Sequence, residues 1–119
     1  MKSNQKIGQK AEEIAAKELK KRGYKILMRN AKSRYGEIDI VARKSGLLVI
    51  VEVKAGMGIG EFGPPQLRVN AAKQRKLRIL ALDLLKKYKL QNTDVRFDVV
   101  TVLLGSTPAK VQVIEGAFE

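Results

Sequence analysis

The sequence of 119 residues contains no cysteine and no histidine. Without cysteine there is no disulfide framework, no zinc-thiolate site and no thiol nucleophile. Without histidine the commonest general base, the Ser-His-Asp relay and imidazole metal ligands are all excluded. Catalysis, if present, must come from carboxylates, Lys, Tyr, Ser/Thr or a metal ion. Long apolar runs are also missing. The longest, such as Leu47–Val51, is strand-sized and far below the roughly 20 residues of a membrane span. The N-terminal residues are polar and basic with no apolar signal core, so the expected address is cytoplasmic, with no membrane partner.

What is present is positive charge and a core. Lys and Arg number 24 against 12 Asp and Glu, a net charge of +12. In a small chain this excess favours a polyanionic partner, nucleic acid above all. Hydrophobic residues make up 45%, enough for one packed domain spanning residues 1–119.

Periodicity predicts a helix over 4–22, with Ile7, Ala11, Ile14, Ala15 and Leu19 on one face and Gly23 as its stop. Short strands follow at Tyr24–Asn30 and Glu37–Arg43, with the basic segment Ala31–Tyr35 between them. Leu47–Ala55 is β-branched and apolar and should be a central strand. Gly56–Pro65 reads as a loop, and Leu67–Tyr88 as a helix with Leu77, Leu80, Ala81, Leu84 and Leu85 as its core stripe. Strands at Val95–Leu104 and Lys110–Ile114 complete the order α-β-β-β-α-β-β. The expected fold is α/β, a single mixed sheet flanked by helices.

The stretch from Gly36 to Lys54 carries the chemistry. Ser45-Gly46 suggests a two-residue hairpin turn. If Lys44 faces Leu47, then Asp39 faces Glu52 and Glu37 faces Lys54. Opposed residues share a face, here with Val41, Leu48 and Ile50. Two carboxylates opposed at the margin of an apolar surface repel, and burial raises the cost. A divalent cation offsets it, since Mg²⁺ takes one or two carboxylates plus water and phosphate. So does Lys54, through a salt bridge. The spacing leaves both open. In the first helix, Glu12 and Glu18 lie near the apolar face and Glu13 points away, so helical angle does not select among them.

These residues identify the chain as similar to the YraN-like family of small bacterial proteins. The resemblance runs through Gly8, Ala11-Glu12, Ala15, Gly23-Tyr24, Arg29-Asn30, Gly36-Glu37-Ile38-Asp39 and Val51-Glu52-Val53-Lys54. It continues through Phe62-Gly63, Lys73, Arg96-Phe97-Asp98-Val99 and Ala117-Phe118. That family resembles in turn the restriction-endonuclease-like, PD-(D/E)XK nucleases and the archaeal Holliday-junction resolvases. Their D…(E/D)-x-K signature corresponds to Asp39 and Glu52-Val53-Lys54. The resemblance implies a restriction-endonuclease-like core and a metal-dependent endonuclease of DNA, branched DNA included. It implies Mg²⁺ (or Mn²⁺) held by Asp39, Glu52, the Val53 carbonyl and Glu12, with Lys54 orienting or polarising the attacking water. Related resolvases are dimers, so a homodimer is implied too. The chain departs from the family at Ala55-Gly56, where an Arg usually follows the signature, and at Ala11, which replaces a common Gly.

Nucleic-acid contacts are expected from Lys32, Arg34, Arg68, Lys73, Arg75, Lys76 and Arg78, with DNA preferred over RNA. The four basic residues from Lys73 to Arg78 cannot all share one helix face, so some are plain solvated charges. Tyr35 suits either base stacking or a half-buried strand end. Gly58-Ile59-Gly60-Glu61-Phe62-Gly63 matches G-x-G-x-x-G, but Pro64-Pro65 follow it and no acidic strand end lies about 20 residues on. It reads as a loop near the site. Asp98, inside an apolar strand, reads as a structural acceptor. Three function classes remain, in this order: a metal-dependent nuclease, a nucleic-acid-binding module with a weak or inactive site, and a basic structural protein of a ribonucleoprotein particle.

Overall fold

A computed structural model describes residues 2–56 and 69–119. The elements are α1 (Lys2–Lys21), β1 (Lys25–Ser33), β2 (Gly36–Lys44), β3 (Leu47–Gly56), α2 (Ala71–Lys87), β4 (Val95–Leu103) and β5 (Lys110–Phe118). The α/β order expected from periodicity is the order found. The five strands form one mixed sheet in sequence order. β1, β2 and β3 run antiparallel in turn, β3 and β4 are parallel, and β4 and β5 are antiparallel. Parallel neighbours need a crossover, and α2 supplies it.

Each face of the sheet carries one helix. Helix α1 buries Ala11, Ala15 and Leu19 against Ile40, Ala42, Val49, Val51, Val100 and Val102. Helix α2 buries Leu77, Leu80, Ala81, Leu84 and Leu85 against Ile38, Val41, Leu48, Ile50, Phe97 and Val99. The central strand β3 is thus apolar on both faces, as its unbroken run of β-branched residues requires. Neither described helix is long and apolar enough to cross a membrane.

Three boundaries differ from the sequence expectation by more than two residues. Strand β1 continues through the polar residues to Ser33, because they pair with the start of β2: Lys32 with Glu37 and Ser33 with Gly36. Helix α2 starts at Ala71 rather than Leu67, because the Asn70 side chain caps it by accepting the Lys73 N–H at 2.8 Å. Strand β5 runs on to Phe118 through a bulge, where its register against β4 slips between Phe97 and Val99. Gly116 sits there at φ 57°, a left-handed conformation that suits glycine. The loop read as G-x-G-x-x-G, and Arg68, lie outside the described residues.

A buried polar network ties the α1–β1 junction to β4 and β5. Asp98 is 1% exposed. Its carboxylate accepts four hydrogen bonds: Tyr24 Oη at 2.8 Å, Arg96 Nε at 2.8 Å, Arg96 Nη2 at 2.9 Å and the Gly116 N–H at 3.0 Å. These fill its acceptor capacity. Burial and the Asp98 carboxylate together push the Tyr24 phenol well above its ordinary value. Asp98 is therefore a structural acceptor, as its position in an apolar strand suggested.

Candidate active site at the opening of the β2–β3 ladder

The turn at Ser45-Gly46 sets the expected register, with Lys44 opposite Leu47 and Ile40 opposite Val51. Both turn residues have positive φ, 51° and 78°, which matches the primed turns of two-residue hairpins. The ladder then stops one pair short of Asp39 and Glu52. Alternation in β2 slips at the same point: Ile38 packs on the α2 side and Ile40 on the α1 side. Asp39 sits at the slip. Its carboxylate replaces the missing ladder partner by accepting the Val53 N–H at 2.8 Å. The two strands part there, and the opening holds acidic side chains.

Glu52 points to the α2 side and is only 5% exposed. Burial pushes its carboxyl group up to about 7, with a hydrogen bond to Asp39 and the charge of Asp39 acting in the same direction. Two cations oppose that rise. Lys73 Nζ, from the first turn of α2, lies 3.4 Å from Glu52 Oε2, and Lys54 Nζ lies 3.8 Å from the same atom. Asp39 and Glu52 thus interact through their side chains, and not as the directly opposed ladder pair that the register led one to expect. The expectation that Glu37 stands opposite Lys54 is not met. Because β2 slips at Asp39, the Glu37 carboxylate meets the Asn30 side chain instead.

Glu12 enters the same neighbourhood from α1. Burial raises its carboxyl group above the ordinary value, Asp39 and Glu37 add to the rise, and Arg29 and Asn30 oppose it. With its amide turned to donate, Asn30 Nδ2 lies 2.9 Å from Glu12 Oε1 and 2.7 Å from Glu37 Oε1. Asn30 takes φ 54°, and this left-handed turn in β1 aims the amide between the two carboxylates. Sequence reasoning missed Asn30 as a site residue, although an Asn-favouring αL position at a strand end was the available signal. It also missed Lys73 as a partner of Glu52, having placed it on the nucleic-acid surface. Among the described residues no three acidic groups stand close enough to hold a metal ion by themselves. The donor set is Asp39 and Glu52, with Glu12 as a neighbour. Two carboxylates completed by water and phosphate are the usual protein share of a Mg²⁺ site, so the residues fit that ion.

Of the expected nucleic-acid contacts, Lys32, Arg34, Arg75 and Lys76 are exposed. Arg78 is occupied, donating to the carbonyl of Glu119 at 2.7 Å.

The raised Glu52 has a measurable consequence. Unfolded, the group ionises around 4.5; folded, it holds its proton to about 7. Its contribution to stability is thus complete below pH 4.5 and is lost as pH rises to 7, at roughly 1.4 kcal/mol per unit. Thermal unfolding from pH 5 to 8 should show this decline in metal-free protein, and Glu52→Gln should flatten it.

The pattern that defines the uncharacterised protein family UPF0102 matches residues 11–102. A UPF0102 protein of Geobacter metallireducens is 41% identical over 116 residues, covering 98% of this chain and 94% of its own. One from Rhodococcus opacus is 39% identical over 119 residues, 99% of this chain and 100% of its own. One from Kosmotoga olearia is 48% identical over 98 residues, 82% of this chain and 83% of its own. Matches of this extent, spanning both helices and the acidic opening, show that the chain belongs to the UPF0102 family.

Proposed function

We propose that the protein is a metal-dependent nuclease that hydrolyses phosphodiester bonds, with DNA as the preferred substrate. The observation that carries this reading is a carboxyl pair at a ladder opening, Glu52 buried and Asp39 half-buried, with two lysines beside Glu52. Burying an acid beside a second carboxylate weakens a fold unless it serves a purpose. Restriction-endonuclease-like enzymes, which the D…E-x-K spacing resembles, place such a pair where a cation bridges protein and phosphate.

In this reading Asp39 and Glu52 would hold Mg²⁺ or Mn²⁺, with the Val53 carbonyl and Glu12 as the further ligands the resemblance implies. When bound, the ion polarises a phosphoryl oxygen and lowers the pKa of a coordinated water. The protein's own work is positioning and electrostatics. The Val53 N–H fixes one oxygen of Asp39. Lys54 stands 3.8 Å from Glu52, where its charge stabilises negative charge developing on the phosphate. Lys73, at 3.4 Å, supplies a second cation on a chain that has Gly56 where relatives of the signature carry Arg. The absence of histidine is consistent with this chemistry, because the ion supplies the activated water.

The observation favouring the alternative, a binding module with an inactive site, is that Lys54 and Lys73 already offset Glu52. A cleavage panel separates the two readings. Single-stranded, duplex and branched DNA and RNA are incubated with Mg²⁺, Mn²⁺ or EDTA. Cleavage of DNA in either metal and not in EDTA is the expected result. Binding without cleavage on every substrate and in both metals overturns the enzyme and leaves the module. Affinity should also fall steeply with salt, as phosphate contacts require.

A further inference from the structure

Helix α2 carries a second, outward stripe that the core does not use. Arg75, Ile79, Leu82 and Lys86 recur at helical spacing, and all four are exposed. Leu82 is 67% exposed and Ile79 49%. Two bare aliphatic side chains thus lie between two cations, whose Cα positions are about 16 Å apart along the axis. The tip of the β1–β2 hairpin stands beside them. Arg34, Tyr35, Ile79, Leu82, Asp83 and Lys86 line one open pocket of about 270 Å³. Tyr35 is also exposed, and its ring is fixed by Arg34. The guanidinium carbon lies 4.9 Å from the ring centroid, and Nη2 donates to Tyr35 Oη at 2.8 Å.

This shelf connects to the candidate active site by a line of lysines. Lys73 lies at Glu52. One turn on, the stem of Lys76 packs over Gly36, so closely that a Cβ there would sit 2.7 Å from its Cε. Gly36 follows Tyr35 directly.

We infer that Tyr35, Ile79 and Leu82 form a stacking shelf for unpaired nucleobases, which makes single-stranded or forked DNA the substrate class. The inference rests on the nucleic-acid reading above and narrows it. Bases in a continuous duplex cover one another's faces, and a flat apolar shelf offers them nothing. Unpaired bases have free faces that stack on aromatic side chains such as Tyr35, with Ile79 and Leu82 extending the apolar contact, while flanking cations hold their phosphates. A second copy of the chain is the other occupant such a patch could take. The charge of +12 on each copy opposes that contact and favours a polyanion.

Binding in EDTA tests the shelf separately from cleavage. Fluorescent oligothymidine and a blunt duplex of equal length are titrated at one salt concentration. The single strand should bind at least about 10-fold tighter, Tyr35→Ala should weaken it by roughly 5- to 100-fold, the range for one stacked base, and Leu82→Ser should weaken it less than Tyr35→Ala does. Both substitutions should leave duplex affinity and thermal stability unchanged, and Tyr35→Phe should retain binding. A 2-aminopurine base in the single strand should be quenched by wild type and not by Tyr35→Ala. Equal affinity for strand and duplex, or an unaltered affinity in Tyr35→Ala, overturns the shelf while leaving a duplex-binding protein intact. A dimer in sedimentation that Leu82→Ser dissociates overturns it in favour of a second copy. Failure to bind any nucleic acid overturns the parent reading with it.

Discussion

Asp39→Asn and Glu52→Gln are each expected to lower metal-dependent cleavage by on the order of 10²- to 10³-fold or more, with the fold retained. Amide replacements are the informative ones. In Asp39→Asn the new side-chain carbonyl can still accept the Val53 N–H that Asp39 takes at 2.8 Å, so the ladder opening keeps its shape and only charge is lost. Alanine would remove that bond as well and confound the result. At Glu52 the amide also relieves a buried charge. Glu52→Gln should therefore be more stable than wild type at pH 8 in the absence of metal, while losing activity. Stability and activity moving in opposite directions is the signature of a strained functional group. Single-turnover cleavage at saturating substrate, with calorimetry in parallel, reads both. Activity within a few-fold of wild type in either variant would sink the two-carboxylate centre. Lys54→Met should lower the rate with metal binding preserved, since its charge acts on the phosphate rather than on the ion.

The largest stability effect is expected at Asp98, on the opposite face of the sheet. Asp98→Ala leaves the Gly116 N–H without its acceptor, and leaves the Tyr24 hydroxyl and the Arg96 guanidinium only the longer carboxylate contacts to Glu115 at 3.5 and 3.7 Å in place of the short bonds to Asp98. Removing one partner of a buried, hydrogen-bonded charge pair costs about 3–5 kcal/mol, or roughly 10–20 °C in melting temperature for a domain of this size. Tyr24→Phe removes one neutral donor and should cost about 1–2 kcal/mol. Differential scanning calorimetry of the two variants checks the ranking. If Asp98→Ala melted within a few degrees of wild type, the network would not be what holds β5 to the α1–β1 junction.

The acidic centre was legible in the sequence because one short signal controls it. Ser45-Gly46 fixes the hairpin register, and the register carries Asp39 to Glu52. What the sequence did not show is that the ladder ends before that pair. The slip in β2 is set by packing on both faces, Ile38 against α2 and Ile40 against α1, and a period-two pattern cannot express it. Glu12 was hidden for a similar reason. Glu12 and Glu18 lie at opposite margins of the apolar face of α1, so angle did not select between them, and what distinguishes Glu12 is Asn30, a strand residue in a left-handed turn. Lys73 was visible as a basic residue but not as a neighbour of Glu52. Its place depends on the Asn70 cap, which sets where α2 begins. The far end of β5 was missed because Glu115-Gly116-Ala117 has no apolar alternation; its pairing depends on the bulge and on Asp98.

The bulges have a bearing on how the protein behaves when crowded. An open sheet ends in two unpaired strands, and a long regular edge invites other chains to add to it. Here β1 slips register at Leu27, turns left-handed at Asn30 and exposes Lys25, Arg29 and Lys32. β5 is broken at Gly116 and begins with an exposed Lys110. The first margin offers no straight, uncharged run, and on β5 the regular uncharged stretch is only Val111–Ile114, between Lys110 and Glu115, so copies of the chain released together should stay apart instead of zipping into fibrils.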